Sequence, residues 1–224
     1  MENEFQQRTP EWHKMRLGKF SASEIHKLLG IKGLGETGKS YCFKKAIEVV
    51  FGEDPSERIE TFDMKRGIET EPIAFAKFKE LKEMDFIEVQ ETTFFPYNDN
   101  AGASPDGLVG KDAVLEIKCP RSEKFFRIVA GGIDEIDKEY IAQMQMQILC
   151  SNSQRAHFFN YLLWNGEEMW HEIIVERDEK MIDLIKAWIA ALPFASSYNS
   201  VASATSKGQL ERYGMRIDSC CATS

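Results

Sequence analysis

Asp106, Glu116 and Lys118 are the residues of this chain whose types and spacing could do chemistry. Asp106 stands in Ser104-Pro105-Asp106-Gly107, and the other two stand in the apolar run Val114-Leu115-Glu116-Ile117-Lys118-Cys119-Pro120. Side chains of a strand alternate between faces, so Glu116 and Lys118 point the same way. Gly110-Lys111-Asp112 has hairpin-turn chemistry, and a hairpin there turns Asp106 back alongside them. Two carboxylates and one amine then meet at a point. Carboxylate oxygens suit hard divalent cations such as Mg²⁺, and the lysine can orient or deprotonate a water. This is equipment for metal-assisted phosphodiester hydrolysis. On a solvated strand edge the same letters would be only an ion pair. Val114, Leu115 and Ile117 argue instead for a strand buried on its other side, where charges destabilise unless paired or metal-bound.

The elements that must position these residues follow from capping and periodicity. Thr9-Pro10-Glu11 opens a short helix through Trp12 and Arg16, ended by Gly18. Ser21-Ala22-Ser23-Glu24 has the capping-box pattern and opens a second helix through Leu29. Gly30–Ser40 reads as a glycine-rich loop, Tyr41–Phe51 as a third helix, and Met64–Met84 as a fourth containing Pro72. Phe86–Tyr97 alternates as one strand, and short strands follow around Ala103 and over Val114–Lys118. Glu135–Leu149 has helical spacing, with Tyr140, Gln143 and Gln147 on one face. A hairpin across Asn165-Gly166 joins Ala156–Trp164 to Met169–Glu176, and Asp178 caps a last helix to Leu192. The class predicted is α/β, a central mixed sheet flanked by helices. Residues 1–193 form one domain, and 194–224 a polar C-terminal tail.

Composition narrows the function classes. The 224 residues are 43% hydrophobic and 29% charged, ordinary for a globular chain. Five scattered cysteines lack metal-ligand spacing and read as reduced thiols. No leader and no long apolar run is evident, so neither export nor membrane spanning is expected, and the cytoplasm is the predicted compartment. The net charge of −8 opposes nucleic-acid binding. Residues 1–48, however, carry nine Lys/Arg against six Asp/Glu, which allows a basic entrance on an acidic body.

Two further motifs compete for function. Gly33-Leu34-Gly35-Glu36-Thr37-Gly38-Lys39-Ser40 matches the phosphate-loop pattern letter for letter. That pattern needs a strand before it, and a helix precedes it here, so no ATP site is expected. Ser21 and Ser23 at a helix N-terminus, with Arg16 one turn earlier, read either as plain capping or as a pocket for a terminal phosphate.

Taken together, the chain resembles the lambda-exonuclease family of YqaJ-type viral recombinases. The resemblance is carried by Trp12-His13-Lys14-Met15-Arg16-Leu17-Gly18, Ser21-Ala22-Ser23-Glu24, Gly67 with Glu71, Ser104-Pro105-Asp106-Gly107, Leu115-Glu116-Ile117-Lys118-Cys119-Pro120, Tyr140-Ile141-Ala142-Gln143-Met144-Gln145 and Ile174–Lys180, in that order. It implies a restriction-endonuclease-like core of the PD-(D/E)xK type. It also implies a Mg²⁺-dependent 5′→3′ exonuclease, with Mn²⁺ as a substitute, that resects duplex DNA ends and leaves 3′ overhangs for a single-strand annealing protein. By position, Asp106, Glu116 and the Ile117 carbonyl would hold metal, with Glu71 in an outer position. Lys118 would orient the attacking water, supported by Gln143. Arg16, Ser21, Ser23 and Ser104 would grip phosphate. A homotrimer is the family's expectation. A flap or junction nuclease of the same fold, and a non-catalytic module that binds DNA ends, are the alternatives; the intact Asp106, Glu116 and Lys118 speak against the second.

Overall fold

The computed structural model describes residues 7–30, 34–54, 61–191 and 201–202. The predicted tail, 194–224, and the domain boundary before it lie outside these residues apart from 201–202, as does Gly33, the first residue of the phosphate-loop pattern.

Helix α1, Pro10–Arg16, begins as its letters require: the Thr9 hydroxyl accepts from the Trp12 amide, and Pro10 occupies the first turn. Strand β1, Phe20–Ser21, leads into a 3-10 helix, Ala22–Leu28. The capping box predicted here does not form, because the Ser21 side chain makes no cap bond. Helix α2 is Glu36–Phe51, longer than predicted, with Gly35 at its N-cap. It absorbs Thr37–Ser40, and Lys39 pairs with Glu36 at 2.6 Å. Among the described residues the phosphate-loop pattern is therefore a helix start, and the element upstream of it is a 3-10 helix and not a strand.

Helix α3, Phe62–Met84, is capped by Thr61. Pro72 stands inside it, so one amide that would bond the Ile68 carbonyl is missing. Gly67 also stands inside α3, where glycine is about 0.8–1.0 kcal/mol less favourable than alanine. The single strand predicted over Phe86–Tyr97 is two strands in different sheets: β2, Val89–Glu91, and β3, Phe95–Asn98. Between them the Thr92 hydroxyl donates to the Pro105 carbonyl, pinning the crossover beside the Asp106 turn.

Strands β4, Ala101–Ala103, β5, Gly107–Val109, and β6, Ala113–Lys118, follow. Helix α4, Ser122–Gly131, was not foreseen; it lies between Pro120 and its C-cap, Gly132, and buries only Phe125 and Ile128. Helix α5 is Lys138–Ser151, starting later than predicted because Gly132–Glu135 forms a 3-10 turn. Strands β7, Arg155–Trp164, and β8, Glu167–Glu176, pair along their full length. Their turn residues Asn165 and Gly166 both have left-handed φ, 54° and 83°, as such a hairpin demands. Helix α6, Glu179–Ala191, starts on the Asp178 carboxylate, which accepts from the Lys180 and Met181 amides.

The larger sheet has the order β2-β5-β6-β7-β8, with β6 and β7 parallel and the other pairs antiparallel. A smaller sheet has the order β1-β4-β3. Strand β6 lies at the centre and is buried on both faces. Leu115 and Ile117 pack toward Phe78 of α3, whereas Val114 packs toward Met144 and Ile148 of α5. This is the α/β layering that was predicted.

Beneath β1, Lys45 and Glu48 form an ion pair at 2.9 Å, only 6% and 2% exposed. Glu48 also accepts from the Gly18 amide at 2.9 Å, fixing the corner between α1 and β1. Glu48→Ala would strand a buried ammonium and a buried amide. It should destabilise the fold by about 3–5 kcal/mol in a denaturant titration; a loss below about 1 kcal/mol, the scale of an exposed pair, would contradict this account.

Candidate active site

The turn before β5 and the centre of β6 build the site. The Asp106 amide donates to the Leu115 carbonyl at 2.9 Å, continuing the β5–β6 ladder by one residue. The Asp106 carboxylate then takes the place of a backbone partner, accepting from the Ile117 amide at 2.6 Å. Amide and carbonyl of one strand residue face the same edge. The Ile117 carbonyl therefore points to the side where β5 has ended, into the cleft.

Glu116 lies on the opposite face of β6 from Leu115 and Ile117, only 2% exposed. Its Oε1 accepts from Gln143 Nε2 at 2.7 Å and from the Lys118 ammonium, and its Oε2 accepts from Gln147 Nε2 at 2.5 Å. Sequence reasoning placed Gln147 on the right face of α5 but gave it no role. The visible signal was the four-residue spacing from Gln143, which repeats one amide along a helix face.

A cleft of about 180 Å³ contains every residue that the sequence nominated. Asp106, Glu116, Ile117, Lys118, Gln143 and Glu71 line one part of it, and Arg16, Ser21, Ser23 and Ser104 line the rest. Trp12 joins the two parts. Its Nε1 donates to Ser104 Oγ at 3.0 Å, and the Arg16 guanidinium lies over its ring, 4.0 Å from the centroid. Gly102 also lines the cleft; a Cβ there would come within 2.1 Å of the Phe94 ring.

The serine corner differs from the free helix terminus that was predicted. The Ser21 amide already donates to the Tyr41 hydroxyl at 3.0 Å, and Ser21 Oγ lies 3.3 Å from Ser23 Oγ. Any anion held there meets hydroxyls and the Arg16 guanidinium, not the amides of an α-helix. Two residues ahead of α1 also went unforeseen. Gln7 Nε2 donates to the Pro105 carbonyl at 2.7 Å, and Arg8 makes a two-pronged pair with Glu71 at 2.9 and 2.7 Å. They precede the first regular element and carry no periodic signal.

The electrostatics are those of crowded carboxylates. Burial, then the charges of Glu116 and Glu71, push the Asp106 carboxyl well above the usual range, against the pull of Lys118 and the Ile117 amide. Burial alone would lower the Lys118 ammonium, but Glu116 and Asp106 outweigh it and raise it. In this arrangement Lys118 is a charged donor that can orient a water, which favours the first of the two roles considered for it.

Among the described residues no three His, Cys, Asp or Glu side chains converge into a ready metal cage. Asp106, Glu116 and the Ile117 carbonyl form a sparser, all-oxygen set. That set fits Mg²⁺, which keeps several waters and needs only one or two carboxylates. It does not suit a soft metal. Among the described residues, too, no helix is long and apolar enough to cross a membrane.

Comparison with known proteins agrees with the geometry. The alkaline exonuclease LHK-Exo in complex with dAMP is 27% identical; the match covers 91% of this chain and 100% of that one, with a TM-score of 0.74. A second structure of LHK-Exo, from Laribacter hongkongensis, matches over the same shares at 27% identity and a TM-score of 0.72. A phage-related exonuclease from Haemophilus somnus 129PT shares the fold at 20% identity, over 84% of this chain and 96% of that one, with a TM-score of 0.64. No curated protein matches. The sheet of β6 with its flanking helices is thus the restriction-endonuclease-like core of the exonucleases. A model of the YqaJ-like viral recombinase domain matches residues 11–154, and the chain belongs to that family.

Proposed function

We propose that this protein is a Mg²⁺-dependent exonuclease that degrades the 5′-ended strand of duplex DNA and leaves 3′ overhangs. The observation that carries the reading is the sharing of one cleft by two sets of residues: the carboxylates and lysine suited to phosphodiester hydrolysis, and the arginine and serines suited to a terminal phosphate. LHK-Exo, the similar alkaline exonuclease, is known in complex with dAMP, a mononucleotide of the kind that such cleavage releases.

Each residue has a part. Arg16, stacked on Trp12, presents a planar guanidinium to the 5′-phosphate. Ser21, Ser23 and Ser104 offer hydroxyls to the remaining oxygens. Asp106, Glu116 and the Ile117 carbonyl would hold Mg²⁺, which supplies charge stabilisation at the scissile phosphate and a more acidic water. Glu71, tied to Arg8, stands at the edge of that set. Lys118 orients the water for attack on phosphorus, and the bond to the 3′ oxygen of the terminal nucleotide breaks. The shortened strand then again begins with a 5′-phosphate, which the same corner can take. Mn²⁺ should substitute for Mg²⁺, and no ATP is needed. The enzyme would act on DNA ends in the cytoplasm of a bacterial or other host cell, as a homotrimer, and hand its 3′ overhang to a single-strand annealing protein.

Digestion of an end-labelled duplex should require Mg²⁺ or Mn²⁺ and stop with Ca²⁺, and Asp106→Ala and Glu116→Ala should abolish it. Undiminished hydrolysis in excess chelator would sink the metal mechanism. Gln147→Leu should lower kcat or Mn²⁺ affinity by about tenfold to a hundredfold, as loss of an outer hydrogen bond to a ligand commonly does; calorimetry and steady-state rates would read this, and wild-type values in both would remove Gln147 from the site. Polarity is tested by rates for wild type and Arg16→Ala on 5′-phosphorylated and 5′-hydroxyl duplexes. The phosphorylated end should be faster in wild type, and the difference should shrink in the variant. Equal preference in both proteins would take Arg16 out of the role.

A further inference from the structure

A second cleft, of about 330 Å³, adjoins the candidate active site across a shared wall of Glu71, Ile117 and Lys118. Gly67, Lys124 and Tyr140 also line it. Nothing among the described residues explains Gly67. It lies in the interior of α3 and is not among the positive-φ glycines, so its backbone does not call for glycine. Apart from its chain neighbours and the backbone of its own helix, no atom of the described residues lies within 4 Å of the position of a Cβ there, so packing does not call for it either. The effect of the missing side chain is to leave open the side of the cleft that α3 forms.

The opposite side carries positive charge. The Lys118 and Lys124 ammonium groups each lie 4.7 Å from the centroid of the Tyr140 ring. Lys124 is also paired with Asp137, which does not line the cleft, and Lys118 with Glu116. Two cations thus sit over one aromatic ring, and one of them is the lysine of the active site.

We propose that this second cleft receives the sugar–phosphate backbone of the cut strand just beyond the scissile bond. Gly67 is the point where that backbone comes against α3, and Lys124 donates to its phosphate. The inference rests on the nuclease reading above and gives the strand its path. The nucleotide to be released occupies the first cleft, the bond to be cut lies at Asp106 and Glu116, and the next nucleotide occupies the second cleft, with Lys118 at the junction. The cations beside a phosphodiester-cleaving centre select a nucleic-acid backbone as occupant.

The test compares Gly67→Leu, which fills the opening, with Gly67→Ala and Lys124→Gln, on a 5′-phosphorylated duplex in Mg²⁺. Both glycine variants favour the helix, so thermal midpoints should hold or rise, and Mn²⁺ binding by calorimetry should be unchanged. Gly67→Leu should lower kcat/KM by about tenfold to a hundredfold, the scale of substrate misplacement, and Gly67→Ala by less. Lys124→Gln should reduce the slope of log KM against log salt by about 0.9, the signature of one lost phosphate contact. A folded, Mn²⁺-binding Gly67→Leu protein with wild-type kcat/KM would overturn the proposal. Should that variant not fold, an unchanged salt slope in Lys124→Gln would overturn it instead. An inactive wild type would count against the nuclease reading itself; active wild type with indifferent variants counts against this path alone.

Discussion

A carboxylate placed at the centre of a sheet must be satisfied from inside the protein, and Glu116 sets that demand here. It is 2% exposed on a strand buried on both faces. An unpaired charge in that position would be strongly destabilising. Three donors meet it: Lys118 from the same strand face, and Gln143 and Gln147 from one face of α5. The demand therefore fixes how α5 lies over β6. It also accounts for two of the three buried glutamines, Gln143 and Gln147, of a helix that has Met144, Met146 and Ile148 in the core. Three donors on two oxygens hold the carboxylate in one orientation, which suits the metal-holding role proposed for it.

The second constraint is the joining of that centre to the serine corner. Trp12 does this, 8% exposed, with its ring under Arg16 and its indole nitrogen on Ser104. Behind the corner, Tyr41 takes the Ser21 amide, and the Lys45–Glu48 pair holds Gly18. The acidic chain thus concentrates fixed donors where a phosphate would lie, so its overall negative charge does not decide its partners. Local arrangement does.

What was legible in the sequence was short in range. Strand alternation put Glu116 and Lys118 on one face, the Gly110-Lys111-Asp112 turn returned Asp106 to them, and Asn165-Gly166 marked the long hairpin. What was not legible depended on distant parts of the chain. Phe86–Tyr97 reads as one strand, and its partners split it: Val89 pairs with Val109 and Phe95 with Ala103, in different sheets. Gln147 looks like any solvated helix glutamine until α5 is laid on β6. The serine corner was read from a capping pattern, yet Tyr41, twenty residues away, takes the Ser21 amide that the pattern reserved for a cap. Arg8 and Gln7 carry no pattern at all, and reach the site only because the chain passes over Glu71 and Pro105.

The central claim is that a terminal 5′-phosphate and the scissile bond occupy one cleft, a single nucleotide apart. It is tested most directly by the first product released from a duplex that carries a radioactive 5′-phosphate on one strand, quenched within one turnover in Mg²⁺. The account predicts that the label appears first as a mononucleotide, while a label at the 3′ end of the same strand stays with the polymer. Label released first in an oligonucleotide, or lost first from the 3′ end, would contradict it.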